Sequence, residues 1–211
     1  MASRGRSRNG RKGTPFRSSE TEFALREGGG LRLAVIADTH SHPHPQCHAL
    51  IEALHPDAIL HAGDIGDVSV LSALEKIAPL VVVRGNIDER AADLPDGITI
   101  DVRQGDASAI KLYLTHIAVA GPRLRADAAR RAHAAGASLV ICGHSHVPFL
   151  GKDRGLTVFN AGSCGPRRFH LPIVFGVLEI AEGRLSLRHI DCETGQDWSP
   201  QSMHQGTTMR R

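Results

Sequence analysis

From Leu31 to Val83 the chain alternates short apolar runs with stretches of helical spacing, and this alternation limits the fold more than any other feature. Leu31–Ala37 is apolar apart from Arg32 and rich in β-branched residues. It is bounded by Gly28–Gly30 before it and by an Asp-Thr-His loop after it, as a buried strand would be. Cys47, Leu50, Ile51 and Leu54 then recur at helical spacing over 46–54, and Pro56 stops the helix. Ala58–His61 predicts a second strand, Val68–Ile77 a second helix and Leu80–Val83 a third strand. A β-α-β-α-β succession with right-handed crossovers folds into a parallel sheet.

The second half has a different rhythm. Ile98–Asp101 and Ser108–Leu114 predict a hairpin around Gln104-Gly105-Asp106, Leu124–Ala135 a helix, and Leu139–Cys142 a strand. Val158–Phe159, Ile173–Ile180 and Leu185–Ile190 follow as strands with no helix between them, the last two joined across Ala181-Glu182-Gly183-Arg184. A parallel half followed by a mostly antiparallel half predicts two sheets packed face to face with helices outside. A length of 211 residues suits one such domain.

Charge separates the ends from the middle. Residues 1–30 hold seven Arg or Lys against three Glu, a balance of +4, so a chain total of +3 leaves −1 for residues 31–211. Residues 1–28 lack an apolar stripe to offset their ordering entropy and are expected to be disordered. Such a basic tail reads either as a tether to nucleic acid or another acidic surface, or as a solvated extension, and it lacks the apolar stretch of a secretory signal. Residues 194–211 are expected to be a second loose end, which leaves 29–193 as the folded domain. No apolar run approaches the roughly 18 residues of a membrane span, so no membrane partner is expected. Cys47, Cys142, Cys164 and Cys192 form no CxxC pair, which favours free thiols in a reducing compartment, here the cytoplasm. Homo-oligomerisation is left open by the sequence.

The strand-like runs end in polar side chains: Asp38 and His40, Asp64, Asn86, His116, and His144 with His146. Ligands of open α/β sheets collect at the carboxyl ends of strands, so these seven nitrogen- and oxygen-bearing groups can share one crevice. Two cations at a two-metal separation of roughly 3.5–4 Å repel unless an anion bridges them, and Asp64 is the natural bridge. Asp38, His40 and one histidine of Gly143-His144-Ser145-His146 would complete one ion. Asn86, His116 and the other histidine would complete the second, because an i, i+2 spacing in extended backbone puts both imidazoles on one side.

In this order, the motifs DTH, GD, GN, H and GHSH resemble those of the calcineurin-like metallophosphoesterases. The short chain, with VVVRGNID and NAGSCGPRR, is similar to the small single-domain phosphodiesterase branch of bacteria and archaea. The resemblance spans about Leu31 to Ile190. It implies an α/β fold, a four-layer αββα sandwich of two mixed sheets flanked by helices. It also implies a phosphodiesterase or phosphatase acting on a small phosphate ester with two divalent transition-metal ions, manganese foremost and iron, nickel or zinc as alternatives. Carried over by position, Asp38, His40, Asp64 and His146 hold one ion and Asp64, Asn86, His116 and His144 the other. Asp64, Asn86 and His116 then carry the chemistry. Asn160-Ala161-Gly162-Ser163, followed by Pro166 and Arg167, shapes the rim. Arg167 and Arg168 are candidates to clamp a phosphate, and Asp88 to orient Asn86 or hold a water.

Departures from the family pattern are Ile87, where relatives carry His or Cys, the single His116 where His-Gly-His is usual, and NAGS in place of NPGS. Two alternatives come from other classes. DTHSHPHP also resembles the first motif of amidohydrolase and deoxyribonuclease barrels, in which His42 would be a ligand. About 160 structured residues with consecutive hairpins are too few for eight βα units. A non-catalytic scaffold of the same fold would have no need of seven ligands.

Overall fold

Alternation within single strands produces the layering. In the computed structural model, which describes residues 15–89, 91 and 93–200, Leu31, Leu33 and Val35 enter one apolar cluster while Ala34 and Ile36 enter another. Successive side chains of a strand leave opposite faces, so one run can serve two layers. These residues belong to β2 (Leu31–Ile36), which follows β1 (Ser18–Ala24). Helix α1 (Cys47–Ala53), β3 (Ala58–His61), α2 (Ser69–Leu74) and β4 (Leu80–Val82) complete the expected β-α-β-α-β unit, with β2, β3 and β4 paired in parallel. The two helices lay Cys47, Ile51, Val70 and Leu74 over Ala34, Ile36 and Ile59.

Then come β5 (Gly97–Gln104), β6 (Ala107–Thr115), the short pair β7 (Val119–Ala120) and β8 (Arg123–Leu124), α3 (Ala126–Ala134) and β9 (Leu139–Cys142). The described chain closes with β10 (Phe149–Asp153), β11 (Leu156–Asn160), β12 (Val174–Ala181), β13 (Arg184–Asp191) and β14 (Asp197–Trp198). One sheet runs β1-β5-β6-β9-β11-β10 and the other β14-β13-β12-β2-β3-β4. Leu33, Val35, Leu60 and Leu178 of the second sheet meet Ile100, Leu112, Ile141 and Phe159 of the first in the central core. On the far side of the first sheet, α3 places Ala128, Ala129 and Ala132 against Tyr113 and Val140. The layers are therefore helix, sheet, sheet, helix, the expected four-layer αββα sandwich.

Both sheets are mixed, as the resemblance implies, and two other expectations need correction. β12 pairs antiparallel with β2, from Leu31 opposite Ile180 to Val35 opposite Gly176. Meanwhile β9 lies parallel to both β6 and β11. Each sheet is thus drawn from early and late parts of the chain, with the hairpin strand β12 covering the second edge of β2. The disorder expected over 1–28 fails at Ser18–Ala24, which pairs in parallel with β5 along its whole length. Thr21, Phe23 and Leu25 alternate with Glu20 and Glu22, and Phe23 and Leu25 pack on the central core, so a charge count across the segment hid an edge strand. The loose end expected from 194 likewise contains β14, whose Trp198 stands opposite His189, ring edge to ring face at 5.8 Å between centroids. Residues 1–14 and 201–211 lie outside the described residues, and the tether reading of the basic tail lies there with them.

Candidate metal centre

The seven predicted ligands are brought together, four from the loops after β2, β3 and β4 and three from those after β6 and β9. The backbone bends sharply to do this. Among the described residues, Asp38, His40, Ser41, Asp64, His144 and His146 all have φ between 45° and 70°, and none is glycine. Left-handed backbone at a residue with a Cβ costs on the order of 1 kcal/mol or more, and it persists only where the surroundings impose it.

Two groups of donor atoms result, Asp38, His40 and His146 in one and Asp64, His116 and His144 in the other, each within 4.8 Å. In the first, His146 Nε2 lies 3.3 Å from Asp38 Oδ1 and 3.1 Å from His40 Nε2. In the second, His116 Nε2 lies 3.2 Å from Asp64 Oδ1 and 3.0 Å from Asn86 Oδ1, while His144 Nδ1 is 2.9 Å from that same amide oxygen. Asp64 stands between them, Oδ1 toward His116 and Oδ2 3.8 Å from His40 Nε2. Asp38, Asp64, His116 and His146 are buried, whereas Asn86 and His144 face solvent, so the centre opens on one side.

These groups fit cations. Asp38 Oδ1 is buried without a hydrogen-bond partner, an arrangement proteins avoid unless another ligand satisfies the atom. The Nδ1–H of His116 donates to the Ala62 carbonyl at 2.7 Å, so its Nε2 faces two acceptor oxygens, which it meets with a proton or, once deprotonated, through a shared cation. Burial opposes the charged form of Asp64, but the hydrogen bond and charge of His116, with Ile87 N–H and His40, outweigh it and hold the carboxyl at about 2. Burial likewise works against a proton on His116, yet Asp64 and Asp38 keep its pKa above the ordinary value. Carboxylate, amide and imidazole donors without a thiolate suit divalent transition metals.

Surrounding groups set the loops in place. Asp88 is buried and accepts from the backbone N–H of Gly85 at 2.7 Å, Ile65 at 2.9 Å and Gly66 at 3.1 Å, tying the Asp64 loop to the Asn86 loop through backbone and not through the Asn86 side chain. A Cβ on Gly85 would fall 2.8 Å from Asp64 Cα, and one on Gly143 would fall 2.8 Å from Asp38 Oδ2, so both glycines are dictated by close approach. Asn160 and Ser163, expected on the rim, are instead buried struts. Asn160 Nδ2 donates to the Gly143 carbonyl at 2.7 Å and Ser163 Oγ to the Asp38 carbonyl at 3.0 Å. His61, a residue the motifs do not include, bridges Thr39 Oγ1 at 3.1 Å and the Gly63 N–H at 3.1 Å. Only its position at the end of a strand hinted at this.

Burial pushes the His61 imidazole down to about 4, against the pull of Asp88 and Asp38. The unfolded chain, with His near 6.5, therefore takes up the proton first as pH falls. Stability from this group is intact above about pH 6.5 and is lost as pH falls through about 4, a change on the order of 3 kcal/mol. Urea midpoints of chelator-treated protein should fall from pH 7 to 4.5, and less steeply in His61→Gln. Parallel pH profiles for the two proteins would reject the assignment.

The arginines separate. Arg167 is paired with Glu193 and donates to the Leu171 carbonyl at 2.8 Å, so the expected clamp role fails there because a carboxylate already occupies its guanidinium. Arg168 Nη2 lies 3.2 Å from His40 Nε2, over the first group. His42 is exposed and belongs to neither group, and two packed sheets leave no barrel.

The chain matches the calcineurin-like phosphoesterase superfamily domain over residues 31–183. It is 30% identical over 164 residues to a probable metallophosphoesterase of Methanocaldococcus jannaschii, covering 75% of this chain and 81% of that one. A probable metallophosphoesterase of Methanothermobacter thermautotrophicus is 30% identical over 140 residues, covering 63% and 77%. Among solved structures, Vps29 of Entamoeba histolytica complexed with zinc superposes with a TM-score of 0.63 at 23% identity, covering 80% and 96%. The phosphoesterase Yfce from E. coli gives 0.52 at 18% identity, covering 80% and 97%. At these identities the two solved structures show likeness of fold.

Proposed function

The chain belongs to the calcineurin-like phosphoesterase superfamily, and from that membership we propose that it is a phosphodiesterase working with two divalent transition-metal ions, manganese foremost. The observation that carries the reading is Asp64, whose two oxygens face one donor group each, at 3.2 Å from His116 Nε2 and 3.8 Å from His40 Nε2. Asp38, His40, His146 and Asp64 would hold one ion, and Asp64, Asn86, His116 and His144 the other. When bound, such a pair lowers the pKa of water toward neutrality, supplying a nucleophile for in-line attack on phosphorus, and neutralises the charge that develops.

The chain's own residues do the rest. Exposed Asn86 and His144 mark the side from which a phosphate enters, and Arg168 supplies a positive charge there for its nonbridging oxygens. Asp88, Asn160 and Ser163 hold the loops so that the donors need no rearrangement. All four cysteines are free and buried, which supports a reducing cytoplasmic setting. No helix among the described residues is long and apolar enough to cross a membrane.

Metal-reconstituted protein assayed against phosphate mono- and diesters with manganese, iron, nickel and zinc tests the reading. Diesters should turn over, with activity removed by chelation and restored by metal. Two bound ions with no turnover of any ester would favour a scaffold instead.

A further inference from the structure

A cleft of about 430 Å³ opens beside the second donor group, lined by Asn86 and His116 and also by Thr115, Ile117 and Phe16. Phe16 precedes β1 and lies outside the segment 31–183 that matches the family. It is nevertheless held firmly. The backbone N–H of Arg17 donates to Asp96 Oδ2 at 2.7 Å, and its guanidinium to the Leu94 carbonyl at 3.0 Å. The Arg131 guanidinium sits 3.8 Å from the ring centroid. A Cβ on Gly97 would collide first with the Tyr113 hydroxyl and then fall 3.1 Å from Phe16 Cζ, so the glycine leaves room for both rings. Asp96 also accepts from Arg84 Nε at 2.6 Å, two residues before Asn86, which connects the N-terminal strand to a ligand loop.

The charge of the lining points to its occupant. Arg84 and Arg125 stand against Asp88, Glu89, Asp96 and Asp127, two positive groups against four negative ones. Arg84 Nε is engaged with Asp96 and Arg125 Nε with Asp127 at 3.2 Å, so the charge of each arginine is already matched by a carboxylate beside it. Beyond the reacting phosphate such a cleft repels further anions, while Phe16 and Ile117 offer a ring an aromatic face and an aliphatic edge. We propose that the cleft receives one ester group of the substrate and that Phe16 selects phosphodiesters in which this group is uncharged and contains a planar ring. The proposal rests on the phosphodiesterase reading for where the phosphate sits.

Calorimetric titration of the metal-loaded full chain with phenylphosphonate, methylphosphonate and 4-carboxyphenylphosphonate tests this without turnover. Phenylphosphonate should bind about tenfold more tightly than methylphosphonate, given the area and stacking of one ring. The added carboxylate should remove most of that preference. Phe16→Ala should bring the phenyl-to-methyl ratio close to one, and Phe16→Tyr should retain it. Should the alanine protein not fold, Phe16→Leu, which keeps apolar bulk without an aromatic face, should reduce the ratio in its place. An unchanged ratio in the folded variant, or equal binding of the carboxyphenyl compound, overturns the proposal. If the ring preference depends on Phe16 but no ester is hydrolysed, the cleft assignment stands and the enzymatic reading falls. If esters are hydrolysed while the ratio ignores Phe16, the cleft assignment falls alone.

Discussion

Asp64→Ala should strip both metal ions from the protein and reduce diester hydrolysis by a factor on the order of 10³ or more. Each oxygen of Asp64 faces a different donor group, so one substitution withdraws charge from both. Without that carboxylate two dications would confront each other with only neutral histidines, Asn86 and Asp38 around them, and repulsion in a partly dry site is strong. Elemental analysis of reconstituted protein reads the first effect and steady-state kinetics the second, with circular dichroism confirming the fold. His42→Ala is the matched control, because that exposed side chain belongs to neither group. Retention of one ion in the Asp64 variant would mean two independent sites, and equal losses at His42 would return the histidine pair of the barrel hydrolases to consideration.

Ile87 sets the second large effect. Its backbone N–H donates to Asp64 Oδ1 at 3.2 Å, so the residue stands at the centre, and its side chain is 44% exposed at the mouth with no proton to give. Neighbouring Asp88 is no substitute, since its oxygens are taken up by the N–H groups of Gly85, Ile65 and Gly66. A positioned general acid contributes about 10²–10⁴-fold when the leaving group is poor. Across a series of aryl diesters, rates should therefore fall steeply as the pKa of the departing phenol rises. Ile87→His should flatten the slope by protonating that oxygen. A shallow slope in the unmodified protein would show that another donor reaches the substrate.

The donor groups of the candidate centre were legible because each residue type carries its own chemistry and each ends an apolar run that can be recognised locally. Asp38, Asp64 and the GHSH histidines need only their own strands to be placed. What supports them depends on distant sequence. Ser163 reaches the Asp38 carbonyl across 125 positions, and Asn160 the Gly143 carbonyl across 17. Nothing local distinguishes Arg167 from Arg168, because the difference is Glu193 arriving beside one of them. Strand β1 was hidden for a related reason: its partner lies 79 positions away, from Ser18 opposite Gly97 to Ala24 opposite Arg103, and a parallel edge pairing leaves only a faint alternation in the strand itself.

The order of strands also imposes an order of assembly. The second sheet places β12 against β2, with Leu31 opposite Ile180, so the strand that delivers Asp38 and His40 acquires its second neighbour only after most of the chain has been made. On a ribosome that emits residues N-terminus first, β2, β3 and β4 could stack early, but the edge of β2 and the carbonyl of Asp38 would wait for Ser163 and the hairpin beyond it. Contacts this far apart in sequence close slowly. The nascent chain thus exposes two acidic loops and an open strand edge for the greater part of synthesis. The supports of the candidate donor set are therefore complete only in finished molecules.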